Sequence, residues 1–356
     1  HDKGADRAVR KAADTDTQAE PPLVLDVDGT LLRTDLLYET FWAALGAHPA
    51  AALRSLGKYW RAPARLKHAL LLIARPDVTL LPIRDQILDR AREAQAAGRS
   101  VHLASGAAGS LVDELATHLQ IAGPNYGSTP QRNLIRDEKA AEVITRFGTG
   151  QYDYAGNAPA DLPIWAQARK VIAVAPGRRV ENRLRNMGKP FDIIEDGWGL
   201  RDLIGEMRPM QWLKNLLLFL PLLLAHHFHW GAALAVLAAA MAFSLAASAI
   251  YIFNDLSDLA ADRAHPEKCN RPIASGRLPI PVAMAACCLL TLVSWGLALM
   301  VSPAVWAMTA GYMVLNLGYS LALKKRRWLD VAALAAFFLI RFLTGASAAQ
   351  VQMPIW

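Results

Sequence analysis

The sequence predicts an α/β Rossmann-like domain with a small helical cap, followed by an all-α polytopic membrane bundle. Three observations predict it. Charged residues concentrate before residue 210, whereas 210–356 consists of long apolar runs separated by short, mostly basic clusters. Residues 21–175 alternate short apolar stretches with segments of helical spacing, as a sheet covered by helices does. An apolar fraction of 53% coexists with 19% charged residues over 356 positions, which fits two unlike parts better than one core.

Along the chain, residues 1–20 are polar and alanine-rich without an apolar signal segment, and we expect a disordered tail there. The domain proper is expected over 21–175. Leu23 to Leu25 is a strand candidate running into the polar turn Asp26-Val27-Asp28-Gly29-Thr30. Residues 35–74 lack valine-rich stretches and show helical spacing, so they form the cap. A helix over 82–97 closes at Gly98, a strand follows at Val101 to Ala104, a helix at Ser110 to Leu119, and a late strand at Val171 to Ala175. Residues 176–209 are charged and carry Trp198, Leu200, Leu203 and Ile204, the pattern of a linker ending in an interfacial helix.

From residue 210 to 356 we expect five spans, at 210–228, 231–253, 279–301, 303–323 and 329–349, each near the roughly 20 residues that cross a bilayer. The loops on one side hold Arg263, Lys268, Arg271 and Arg277, then Lys324, Lys325, Arg326 and Arg327, while those near 226–230 and 302 hold no Lys or Arg. That asymmetry places the first domain and the basic loops on the cytoplasmic side of a bacterial inner membrane. The chain stops at Trp356 directly after an apolar run, and we expect further spans beyond it.

The net charge of +7 comes without any recognisable nucleic-acid module, so no nucleic-acid partner is expected. The basic residues are assigned to the membrane face, to phosphate ligands and to the linker. Three cysteines, Cys269 in a polar loop and Cys287 and Cys288 in an apolar run, show neither a disulfide framework nor zinc spacing.

The string LVLDVDGTL carries the first chemical signal. Two carboxylates two residues apart at the end of a buried strand project toward one site, and the Gly-Thr that follows lets the backbone turn around a phosphate. One carboxylate can attack phosphorus while the other handles the leaving-group proton, with Mg²⁺ suppressing their repulsion. The string resembles the first motif of the haloacid dehalogenase superfamily, and later residues follow in the family's order. The resemblance implies Asp26 as nucleophile and metal ligand, Asp28 as general acid/base and metal ligand, Thr30 and Ser105 as phosphate-binding hydroxyls, and Lys139 as the cation beside the aspartyl-phosphate. Asn157 and Asp161 fall at the fourth motif as further metal ligands, with Asn157 standing where the family usually has Asp. An amide oxygen is a poorer ligand for hard Mg²⁺ than a carboxylate. A degenerate domain kept as a docking scaffold is the competing reading.

The second signal is YIFNDLSDLAADRAHPEKCNRPIASG, where Asp255, Asp258 and Asp262 follow a three-then-four spacing that lines one face of a helix. Clustered carboxylates repel unless cations sit among them, so their task is to hold Mg²⁺ against a diphosphate. Asn254 offers another oxygen, and Lys268 and Arg271 can meet phosphate oxygens directly. The pattern resembles the first aspartate-rich motif of the UbiA prenyltransferase superfamily. RPMQWLKN (Arg208 to Asn215), HPEKCNRPIASG and YSLALKK resemble the subgroup of bacterial polyprenyl-phosphate phosphoribosyltransferases. That resemblance implies a polyprenyl phosphate or diphosphate lipid and phosphoribosyl diphosphate as substrates.

Lys214 and Arg341 lie inside expected spans, where a charge is expensive unless it meets a polar cavity or a partner. Both are read as phosphate-facing; the alternatives are snorkelling for Lys214 and an internal carboxylate pair for Arg341. Tyr319, Lys324 and Lys325 are candidates either for a lipid phosphate or for interfacial anchoring. Two other functions use the same residues: prenyl transfer from a polyprenyl diphosphate to an aromatic acceptor, and a phosphatase whose spans are only an anchor.

Overall fold

The computed structural model describes residues 20–226, 229–319 and 327–351, with side chains from 332 onward in the last stretch. The chain divides into two compact units. One comprises the residues up to Leu32 together with Ile83–Asp196, and the other comprises Arg33–Pro82 together with Gly197 onward.

The first unit is built on a six-stranded, wholly parallel sheet in the order β3-β2-β1-β4-β5-β6. Its strands are β1 (Leu23–Leu25), β2 (Val101–Ala108), β3 (Tyr126–Ser128), β4 (Asp153–Gly156), β5 (Lys170–Val174) and β6 (Phe191–Ile194). A parallel sheet covered on both faces needs near-continuous apolar strands. β1 and β2 comply, with Leu23, Val24, Leu25, Val101, Leu103 and Ala104 all buried. β1 pairs with β2 on one side and β4 on the other. The strand order therefore reverses at β1, and the crevice beyond the carboxyl ends of β1 and β4 is where such sheets bind ligands.

The helices Asp85–Ala96 and Gly109–Leu119 fall where helical spacing placed them. The sheet itself runs past the anticipated boundary at 175. Residues 176–194 contribute the helix Arg178–Asn186 and the edge strand β6, so the linker begins only after Ile194. That helix buries only Val180 and Leu184 beneath four arginines, which left its amphipathic signal thin.

In the second unit, the expected cap forms three helices, Leu36–Ala47, Pro49–Tyr59 and Pro63–Leu71. Asp35 caps the first by accepting from the Leu37 amide at 2.8 Å, and proline opens each of the others. The first of these helices packs with the membrane-type helices: Trp42 lies in one cluster with Ile252, Leu256, Ile273 and Leu278 and meets Phe253 edge-on at 5.6 Å. The helical insertion is thus part of the second unit's core rather than of the sheet unit.

Two helices among the described residues are long and apolar enough to cross a membrane, Trp230–Ser257 and Ile280–Val301. The most apolar window of Ile280–Val301 is only 17% buried, leaving Leu289, Leu292, Leu299 and Met300 exposed. The first expected span departs from an α-helix: Pro209–Phe219 winds as a 3₁₀ helix and Leu220–Leu224 adds one short α segment. Pro221 supplies no amide for an α-type continuation. Pro303–Gly318 lies within the fourth expected span, whose residues 320–323 fall outside the described ones, and Arg327–Ala348 forms the last described helix. The latter crosses the 3₁₀ segment closely, since a Cβ at Gly345 would meet the Leu218 carbonyl oxygen at 2.0 Å.

Candidate active sites

In the sheet unit, Asp26 leaves the end of β1 and the chain turns at once through Val27–Leu31. Gly29 makes this turn with φ +75°, and a side chain there would meet the Asn157 Nδ2 at 2.2 Å. Arg84 holds the turn from outside, donating to the Gly29 and Thr30 carbonyls at 2.9 and 2.7 Å while pairing with Asp196 at 2.9 Å.

The expected residues converge around this turn. Lys139 donates to Asp26 Oδ1 at 2.9 Å and to Asp161 Oδ1 at 3.0 Å. Ser105, at the inner part of β2, donates to Asp28 at 2.8 Å and accepts from the Ala107 amide. The Thr30 hydroxyl lies 3.2 Å from Asp26 Oδ2 and 3.4 Å from Asn157 Oδ1, so oxygens from the ends of β1 and β4 approach one point. That oxygen pair suits a hard divalent cation.

Burial pushes the Asp26 carboxyl up to about 7, opposed by Lys139 and reinforced by the charges of Asp161 and Asp28. For the Lys139 amine burial alone would lower the pKa, but Asp26, Tyr154 and Asp161 hold it well above the usual value. Lys139 is accordingly a fixed positive charge beside Asp26.

Asp161, expected as a further metal ligand, is held by several hydrogen bonds. It accepts from Lys139, the Tyr154 hydroxyl and the Asn157 and Ala158 amides, and it is 1% exposed. With its oxygens so engaged, it positions Lys139 and braces the turn that presents Asn157.

In the second unit, the acidic stripe is interrupted. The Trp230–Ser257 helix stops before Asp258, whose φ of −100° and ψ of 14° lie outside the helix, and Leu259–Ala264 restarts it. Asp255 and Asp262 nonetheless share a partner: Arg271 Nη1 lies 3.1 Å from one and 2.6 Å from the other. Arg208 binds the second oxygen of Asp255, and Lys268 lies 3.8 Å from Asp262. Both carboxylates are buried, while Arg208 and Arg271 stay partly exposed, so cations line the open side. Asp258 is half-buried between them. Asn254 Oδ1 is buried without a hydrogen-bond donor, a lone pair available to a hard cation.

From Asp255 a polar ladder runs into the bundle. Ser244, Ser248, Tyr251 and Asp255 recur every three to four residues on one helix, hence on one face. The segment before it supplies the facing groups: Arg208 meets Asp255 and lies over the Tyr251 ring, Trp212 Nε1 donates to Ser248 at 3.0 Å, and Asn215 donates to Ser244 at 2.9 Å. Arg341 closes the ladder, donating to Asn215 at 3.0 Å and to the Tyr312 hydroxyl at 3.3 Å, with its guanidinium 5.4 Å from Phe243.

The profile of the UbiA prenyltransferase family matches residues 216–356. That stretch is a UbiA-family domain. Its relatives include decaprenyl-phosphate phosphoribosyltransferase of Mycolicibacterium smegmatis, 36% identical over 159 residues, 43% of this chain and 50% of that protein. The uncharacterized protein y4nM of Sinorhizobium fredii is 36% identical over 329 residues, 91% of this chain and 63% of its own length. Nodulation protein NoeC of Azorhizobium caulinodans is 36% identical over 147 residues, 41% of this chain and 48% of its own length. The chain thus spans less than two thirds of each of these proteins.

The sheet unit resembles the haloacid dehalogenase fold in its strand order and in the meeting of Asp26, Asp28, Ser105 and Lys139. Among solved structures, a haloacid dehalogenase family hydrolase from Salmonella enterica is 14% identical, covers 52% of this chain and 75% of its own, and has a TM-score of 0.36. A substrate-bound phosphoserine phosphatase is 11% identical, covers 48% and 92%, and has a TM-score of 0.35.

Leading into the UbiA domain, Lys214 is exposed, and the buried position beside it belongs to Asn215. Arg208 and Asn215 are site-lining residues that charge and hydropathy alone did not single out. A helical wheel of Ser244, Ser248 and Asp255 points to the polar face they meet. Arg341 is 6% exposed, and its described partners are neutral, so the carboxylate pair considered for it is replaced by an amide, a phenol and aromatic rings. Tyr319 stacks edge-on with Phe337 at 6.2 Å. Lys324 and Lys325 lie outside the described residues.

Proposed function

We propose that this protein is a Mg²⁺-dependent transferase of the bacterial inner membrane that moves a 5-phosphoribosyl unit from phosphoribosyl diphosphate to a polyprenyl phosphate. The cluster of Asp255 and Asp262 bridged by Arg271, with Arg208 beside it, carries this reading. In the reaction the bond from the ribose anomeric carbon to the diphosphate breaks, a bond from that carbon to a lipid phosphate oxygen forms, and pyrophosphate leaves. Mg²⁺, when held by the carboxylates, would neutralise charge on the departing diphosphate. Arg208, Arg271 and Lys268 bind its outer oxygens as charge develops there. Arg341, lacking a carboxylate partner among the described residues, suits the acceptor's phosphate deeper in the bundle. Relatives that act on decaprenyl phosphate support the lipid class. The basic loops support a cytoplasmic site on a multi-pass domain.

The attached sheet unit supports a second activity, phosphate-ester hydrolysis. Asp26 attacks phosphorus, Asp28 held by Ser105 protonates the leaving oxygen, and Lys139 offsets the charge of the aspartyl-phosphate until water releases phosphate. Asp26 and Asn157 are the residues that would hold the cation. A transfer product bearing a 5-phosphate is the kind of ester this site would hydrolyse.

Full-length protein in nanodiscs, given phosphoribosyl diphosphate, polyprenyl phosphate and Mg²⁺, should release pyrophosphate and form a phosphoribosyl lipid. Asp255→Ala should lower that rate by about a hundredfold or more. Product formed only from a polyprenyl diphosphate and an aromatic acceptor would replace this reading with prenyl transfer.

A further inference from the structure

The helical insertion carries a surface that neither proposed activity uses. Between Glu39 and Asp77 the chain has six cations, Arg54, Lys58, Arg61, Arg65, Lys67 and Arg75, and no acidic residue. Along Pro49–Tyr59 and the residue that ends it, Leu53, Leu56 and Trp60 recur at intervals of three and four and so share one face. That face is bare: Leu53 is 56% exposed, Leu56 37% and Trp60 62%, and Leu72, just past Pro63–Leu71, is 89% exposed. Arg54 and Lys58, one turn apart and both exposed, lie on the next face round. The Arg61 guanidinium sits 4.6 Å over the Trp60 ring, so a cation rides on the exposed indole.

The insertion is held at one end of the apolar helices. Trp42 shares its cluster with Ile252 and Leu256, at the close of Trp230–Ser257, and with Ile280 and Ala283, at the start of Ile280–Val301. The loop joining those two ends carries Arg263, Lys268, Arg271 and Arg277. Pro49–Tyr59 rests on Leu36–Ala47 through Ala52 and Ala44, which puts it one packed-helix distance, about 10 Å, from that helix. Leucines and a tryptophan beside Lys and Arg, with no acid among them, suit the boundary of an anionic leaflet: the apolar groups enter the acyl edge while the cations meet phosphate. A soluble acidic partner would match the cations but would leave the leucines and the indole unexplained. We infer that the exposed face of Pro49–Tyr59, together with Leu72, lies in the headgroup layer of the cytoplasmic leaflet and binds anionic phospholipid. This rests on reading the second unit as a membrane bundle with its basic loops on the cytoplasmic side.

The test uses full-length protein in nanodiscs, with Cys269→Ala, Cys287→Ala and Cys288→Ala removing its own thiols. A nitrobenzoxadiazole label is placed at Leu56→Cys or, as the reference for a lipid-facing site, at Leu292→Cys, where the native side chain is 65% exposed on Ile280–Val301. With about one third phosphatidylglycerol in phosphatidylcholine, doxyl-labelled lipid should quench both labels by about twofold, and aqueous iodide should reach neither. Arg54→Gln, Lys58→Gln and Arg61→Gln together should bring lipid quenching at 56 down to its level in phosphatidylcholine alone and leave that at 292 unchanged. A label at 56 open to iodide and untouched by doxyl lipid, while the label at 292 is quenched, would overturn the inference and leave the membrane bundle standing. So would a label at 56 shielded only after native-membrane proteins are added, which would give the face to a protein partner. Equal quenching at 56 with and without phosphatidylglycerol would overturn the recognition of anionic lipid. Failure of doxyl lipid to quench the label at 292 would overturn the bundle reading itself.

Discussion

At the scale of single residues, Asn157 has the clearest consequence. It reaches the same hydroxyl as Asp26 yet brings a neutral oxygen where a carboxylate would bind a hard cation better. Asn157→Asp should therefore raise the phosphatase site's Mg²⁺ affinity, seen as a several-fold lower Mg²⁺ concentration for half-maximal hydrolysis of a generic phosphate ester. An unchanged Mg²⁺ requirement would place the cation away from residue 157. Gly29 is constrained twice over, by its φ of +75° and by the Asn157 side chain against it. The DxDGT string made this position legible in advance. The engagement of Asp161 by four donors was not legible, because hydrogen-bond saturation depends on backbone amides and on Tyr154, which no motif includes.

At the scale of elements, two ion-pair clusters tie pieces of chain together. Glu39 of the insertion accepts two hydrogen bonds from Arg263, at 2.9 and 2.7 Å, and both side chains are nearly buried. Arg263 follows Asp262 directly, so this pair fastens the insertion next to the acidic motif. Removing one partner of a buried pair strands the other, and Glu39→Ala should destabilise the second unit by about 3–5 kcal/mol. Thermal unfolding in detergent would show it, and a melting temperature unchanged within a degree would mean the pair is dispensable.

In the sheet unit, Asp153 at the start of β4 sits between Arg99 and Arg169, at 2.6 and 2.7 Å. Burial raises its pKa, but the hydrogen bonds from Arg169 and Arg99 outweigh that and hold it below the usual carboxylate value. Its folded pKa being lower than its unfolded one, it stabilises above the unfolded value near 4, and the contribution fades as pH falls through the folded value. Asp153→Asn should thus lower stability at pH 7 and approach the parent at about pH 3. An equal loss at both pH values would mean the charge is not what matters. β4 was hidden from the sequence because Asp-Tyr-Ala-Gly has weak strand character, and its identity comes from pairing with β1 and β5.

At the scale of the whole molecule, two sets of chemical groups are assembled in separate units by different means. The residues proposed for phosphate-ester hydrolysis are gathered by a sheet, while the acidic cluster is gathered by helix ends and a loop. Because they share no residue, Asp26→Asn should abolish phosphate-ester hydrolysis and leave phosphoribosyl transfer within about twofold, and Asp255→Ala should do the reverse. Parallel assays on one detergent preparation would measure both. Loss of both activities in either variant would reveal coupling that the residue sets do not contain.

The sequence by itself determined the two-part architecture, the paired carboxylates of Asp26 and Asp28, the acidic 255–262 stretch, and the apolar helices, because these rest on period, hydropathy and local spacing. The tertiary structure alone decided that the insertion joins the helical unit, that Asp258 breaks the acidic helix, and that Arg208 and Asn215 belong beside the acidic motif. Those facts depend on which distant side chains remain unsatisfied when pieces of chain pack together. A one-dimensional pattern records no such pairing.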